Sequence, residues 1–107
     1  MDEAKIKALL GEALAHCYDE EDEFWGMFSA LVRGLSCPLQ ASASGEAVTL
    51  AGLDGPTSNL QAGVMARVQK GDQEESVPLA EVELVEPDAT SAEWLEAYRY
   101  WWKKVSQ

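Results

Sequence analysis

The sequence predicts an α+β fold: a small, strongly curved five-stranded antiparallel barrel, with N-terminal helices before it and a C-terminal aromatic helix after it. Three observations lead there. Apolar residues recur at three-and-four spacing at both ends of the chain, the period of an amphipathic helix. Between them, residues 39–86 carry short alternating runs separated by Gly-Glu and Gly-Asp turns. The whole is 107 residues with 47% hydrophobic content, the size and composition of one globular domain. The expected division of that single domain is a first helix within 1–18, a second within 19–37, a barrel over 38–86 and a closing helix over 90–105.

The first helix rests on Ile6, Leu9, Leu10, Ala13, Leu14 and Cys17, one apolar stripe over residues 3–17, with Asp2 and Glu3 at the positive end of its dipole. The second, about 20–35, has Asp19 as expected N-cap and Glu20, Glu21 and Asp22 in its first turn. Phe24, Phe28, Leu31 and Leu35 form its core row, and Trp25, Met27 and Val32 are expected to widen the buried face. Pro38 marks the exit, because the residue before a proline avoids helical dihedrals. Strands are expected over 39–44, 47–51, 64–69, 75–79 and 81–85, with a turn at Gly45-Glu46 and a loop from Gly52 to Gly63. Pro78 requires an edge or a strand start. The last helix begins with Thr90 and Glu93 in capping-box spacing. It carries Trp94, Tyr98, Trp101 and Trp102 as an aromatic stripe read mainly as core, and it ends on Lys103 and Lys104, which suit the negative end of its dipole.

The charge excludes whole classes of function. Nineteen Asp and Glu face eight Lys and Arg, a formal net charge of −11. Non-specific nucleic-acid binding depends on cationic side chains neutralising phosphates, and anionic membrane surfaces attract the same cationic groups. Neither partner fits this chain. The expected partners are cations: metal ions, or a basic patch on another protein. No apolar run approaches the ~18 residues of a membrane span. The start lacks the uninterrupted apolar core of a secretory leader. Cys17 and Cys37 then read as reduced thiols of a cytoplasmic protein. His16 and Cys17 are neighbours on a helix and point about 100° apart, so they do not form a nucleophile pair. Phosphate-cradling glycine motifs and the nucleophile elbow are absent, and an enzyme is not expected.

The acids are unevenly placed. Six lie between Lys7 and Arg33 with no base among them, and nine lie between Lys70 and Arg99. Asp19-Glu20-Glu21-Asp22-Glu23 can be read as an oxygen-rich cation site, since calcium takes six to eight oxygens; the same run also suits a solvated helix start. Glu81 and Glu83 alternate with Val82 and Leu84, which puts both on the outer face of one strand, about 6–7 Å apart. The segment Asp54-Gly55-Pro56-Thr57-Ser58-Asn59 offers clustered oxygens, and equally plain turn chemistry. The candidate metal ligands are therefore Asp19, Glu20, Asp22, Glu23, Asp54, Glu75, Glu81 and Glu83. They do not form an EF-hand: counting from Asp19, the required glycine is Phe24, and counting from Asp54, the third ligand is Pro56.

Five segments resemble a known family. Glu23-Phe24-Trp25-Gly26-Met27 followed by Leu35-Ser36-Cys37-Pro38-Leu39-Gln40-Ala41 is similar to the helix-to-strand junction of the cyanobacterial calcium-binding proteins. Gly63-Val64-Met65-Ala66-Arg67-Val68 and Val77-Pro78-Leu79-Ala80-Glu81-Val82-Glu83 resemble their glycine-led strand and their Pro-Leu-Ala strand pair. Ala97-Tyr98-Arg99-Tyr100-Trp101-Trp102 resembles their terminal aromatic helix. The likeness covers about residues 20–102. Cys37 and Leu39 stand where the family has two Phe, and Glu81 where Asp is usual. The resemblance implies an SH3-like barrel and a small acidic calcium buffer or sensor without an EF-hand. The alternative is an acidic interaction module that docks a basic protein.

Overall fold

The computed structural model describes residues 3–106. Asp2, expected at the first helix start, lies outside them. In chain order the elements are α1 (Glu3–Ala13), α2 (Glu20–Gly34), β1 (Leu39–Ala43), β2 (Glu46–Asn59), β3 (Gly63–Lys70), β4 (Gln73–Pro78), a 3-10 turn (Leu79–Glu81), β5 (Val82–Leu84) and α3 (Ala89–Val105). They fall into two compact units, one of the three helices and one, Ser36–Asp88, of the strands.

In the helical unit, α1 is shorter than its apolar stripe. It ends at Ala13, and His16 takes a left-handed φ of 67° before the chain enters α2. Ile6 and Ala13 are buried, while Leu9, Leu10, Leu14 and Cys17 are only half-buried. A side chain on Gly26 would come within 2.9 Å of the Ala13 carbonyl oxygen, so α1 and α2 meet where α2 has no Cβ. Asp19 caps α2 as expected: its carboxylate accepts from the Asp22 N–H at 2.8 Å. The helix stops at Gly34, with Leu35 as C-cap, ahead of Pro38. Phe24, Met27, Leu31 and Leu35 are buried, but Trp25 and Val32 are 40% and 56% exposed, so the buried face is narrower than the sequence implied. From α3, Leu95, Tyr98 and Trp101 are buried, and Trp94 and Trp102 half-buried, which agrees with the core reading of its stripe. Trp101 reaches Phe24 with ring centroids 6.5 Å apart. Thr90 is not an N-cap. The helix already begins at Ala89, and Glu93 instead pairs with Lys5 of α1 at 3.1 Å.

In the strand unit, all pairings are antiparallel and the order is β4-β3-β2-β1-β5. The number of strands is as expected, but the sheet is not closed: β4 pairs with β3 alone and β5 with β1 alone. β5 is only three residues long, and the 3-10 turn occupies the chain between the two edges. The tight turn is at Ser44 and Gly45, both at positive φ, one residue earlier than expected. Ala41, Val48, Leu50, Val64, Ala66, Val68, Leu79 and Val82 are buried.

The main departure from the sequence reading is β2. The segment expected as a loop from Gly52 to Gly63 is strand through Asn59, carrying two irregularities against β3. The larger one falls between Asp54, which faces Met65, and Asn59, which faces Gly63. Ser58, 5% exposed, closes it. Its hydroxyl donates to the Asp54 carbonyl at 2.7 Å and accepts from the Met65 N–H at 2.8 Å. One hydroxyl thus supplies two backbone groups that the bulge would otherwise leave without ladder partners.

Candidate calcium-binding carboxylates

The helical unit holds four candidates: Asp19, Glu20, Asp22 and Glu23. They sit together because α2 begins there, and a helix start tolerates negative charge next to its unpaired N–H groups. Backbone donors hold two of them. Asp19 accepts from the Asp22 N–H, and Asp22 in turn accepts from the Tyr18 N–H at 3.3 Å. Cys17 adjoins the run, with its Sγ 3.4 Å from the Asp22 carbonyl oxygen. Desolvation, reinforced by Asp22, Glu23 and Asp19, pushes its thiol pKa up and keeps the proton on sulfur. That donor set is one of hard oxygens.

The strand unit holds Asp54, Glu75, Glu81 and Glu83. Asp54 accepts a hydrogen bond from the Ser76 hydroxyl on β4, which reaches past the intervening β3. That bond, together with others from Thr57 and the charge of Arg67, holds its pKa below the ordinary aspartate value against a smaller opposing effect of desolvation. The Asp54 oxygens are therefore already engaged. Glu75 faces Val68 on β3, and its charge helps raise the pKa of Lys70, whose main partner is Glu46. Glu83 faces Ser42 across β1. Glu81 is not on the same strand as Glu83. It ends the 3-10 turn, so the regular strand spacing expected for this pair does not apply. Both are exposed on either side of buried Val82.

Among the described residues, no three His, Cys, Asp or Glu side chains are grouped so as to hold a metal ion. The donor chemistry fits calcium, which is content with carboxylate, carbonyl and water oxygens. The grouping is not preformed. The sequence reading missed the partners of Asp54. Thr57 and Ser58 were visible only as turn formers, and nothing local connects Asp54 with Ser76, 22 positions away.

Charge is concentrated in the strand unit. Residues 36–88 hold nine acids against two bases, Arg67 and Lys70, a net of −7. Lys70 is paired with Glu46, and Arg67 acts on Asp54. The candidate glutamates therefore lie in a field that few local cations offset.

Two solved structures share the fold. The crystal structure of CcbP from Anabaena matches with a TM-score of 0.81 at 20% identity, covering 94% of this chain and 90% of that one. A calcium-binding protein in its calcium-binding form matches with a TM-score of 0.80 at 16% identity, covering 99% and 94%. No curated protein matches by sequence. The model of a family described as calcium binding, of the CcbP type, matches residues 9–102. With that match spanning nearly the whole chain, the protein belongs to the CcbP-type calcium-binding family.

Proposed function

We propose that this protein is a low-affinity calcium buffer that uses exposed carboxylates in place of an EF-hand. The carrying observation is its membership of a calcium-binding family. Calcium is the cation of that family, and its charge would offset the repulsion among neighbouring carboxylates. In the helical unit, Asp19, Glu20, Asp22 and Glu23 supply oxygens at the start of α2. Their backbone hydrogen bonds hold Asp19 and Asp22 in place before any ion arrives. In the strand unit, Glu75, Glu81 and Glu83 are the exposed donors. Asp54 is the weakest candidate there, because Ser76 and Thr57 compete for its oxygens.

The affinity follows from the same geometry. Ligands that are not grouped must be brought together, with water and backbone carbonyls completing the shell. This places the dissociation constants toward 10⁻⁴–10⁻³ M, roughly the range of weak calcium modules. Such values suit buffering better than sensing. The cytoplasm is the proposed location, a reading supported by the free thiols of Cys17 and Cys37.

Calorimetric titration of the whole chain with calcium in physiological salt tests the proposal. Heat of binding and a raised melting temperature are expected. Neither effect up to millimolar calcium would remove the calcium reading. Glu81→Lys combined with Glu83→Lys is expected to weaken binding several-fold; unchanged affinity would strike that segment from the candidates.

A further inference from the structure

The two residues of α2 that the buried face leaves out define a second surface. Trp25 and Val32 are seven positions apart, two helical turns, and Phe28 lies between them, half-buried. The Trp25 and Phe28 rings meet edge-to-face with centroids 5.3 Å apart. An apolar strip therefore runs along the helix beside its core face, with Trp25 40% and Val32 56% exposed. Glu21 stands on the same line, four residues before Trp25, and the first turn of α2 carries Glu20, Glu21, Asp22 and Glu23. Arg33, in the last turn, is the only base on this helix.

The flanking charge selects the occupant. A second copy of this chain carries the same net charge of −11 and the same acidic first turn of α2, and like charge opposes that association. A segment with apolar residues on one side and lysine or arginine beside them satisfies both parts of the surface. We propose that the α2 strip of Trp25, Phe28 and Val32, headed by Glu21, docks a basic amphipathic helix of a partner protein. Aromatic anchors supply most of the affinity at such contacts, and the flanking acids set the orientation and speed the encounter. The apolar anchors Trp25, Phe28 and Val32 are not among the candidate calcium ligands, whereas the flanking Glu20, Asp22 and Glu23 are, so the two readings are separated by substitutions at the anchors.

The test uses the full chain and a synthetic 14-residue Leu/Lys helical peptide, titrated by calorimetry. A scrambled peptide of the same composition, without an apolar face, is the control. The amphipathic peptide is expected to bind, more weakly as salt rises. Trp25→Ala and Val32→Ser should each weaken it about tenfold, and Glu21→Lys should weaken it further. Far-UV circular dichroism confirms that each variant is folded, and calcium titration of Trp25→Ala should match that of the parent. Equal binding of the scrambled peptide, or an unchanged affinity in folded Trp25→Ala, would overturn the proposal in favour of non-specific charge attraction. Sedimentation showing a dimer that Val32→Ser dissociates would overturn it in favour of self-association.

Discussion

Asp54 accepts hydrogen bonds from Ser76 and Thr57, and the nearby Arg67 adds to the preference for its charged form. Its pKa in the folded protein is therefore below the ordinary value of 3.8. A carboxylate with a depressed folded pKa stabilises the fold above its unfolded pKa, and the contribution is lost as pH falls through the folded value. Asp54→Asn should thus melt below the parent at neutral pH. The gap should close as pH drops below about 3.8, the ordinary aspartate value. Thermal melts across pH 2–7 measure it, and a gap that stays constant over that range would mean that the charge of Asp54 is not what matters. The same bonds compete with any cation for the carboxylate oxygens of Asp54.

At the scale of elements, two features separate local from long-range control. The start of α2 is local: Asp19 and Asp22 are three residues apart, and the cap they form needs nothing beyond its own turn. The bulge in β2 is not local. Ser58 joins Asp54 on its own strand to Met65 on β3, and the strand runs through a Gly-Pro sequence that by itself reads as a loop. Removing the hydroxyl with Ser58→Ala leaves a carbonyl and an N–H in a partly buried position without that partner. The expected loss is about 1–3 kcal/mol in chemical denaturation. A loss under about 0.5 kcal/mol, the level of a typical surface substitution, would show that the bulge closes without it.

Across the whole molecule the net charge is −11, and seven of those charges belong to residues 36–88. Self-repulsion of this kind destabilises a folded chain and is screened by salt. The melting temperature should therefore rise between about 0.02 and 0.5 M sodium chloride, concentrations at which screening lengths differ several-fold. Glu74→Gln with Glu75→Gln should flatten that rise; a melting temperature independent of salt would show that the repulsion is not felt. Much of the fold was legible because its signals are local. Helical periodicity located α1, α2 and α3, the acids at 19–23 marked a helix start, and short alternating runs marked the five strands. The run at 19–23 was legible as a candidate site for the same reason, since its carboxylates are neighbours in sequence. Other features depended on contacts between distant residues, which no local pattern encodes. The open edges of β4 and β5 are set by which strands pair. The engagement of Asp54 is set by Ser76. The relation of Glu81 to Glu83 is set by a 3-10 turn between strands. Trp25 and Val32 show the division on one helix. Periodicity gives the direction of an apolar stripe, but the neighbours packed against the helix decide how wide a stripe is buried, and here they leave those two side chains in solvent. The sequence by itself determined the helices, the strand count and the sign of the charge. The tertiary structure decided which carboxylates are already engaged and which apolar residues remain exposed.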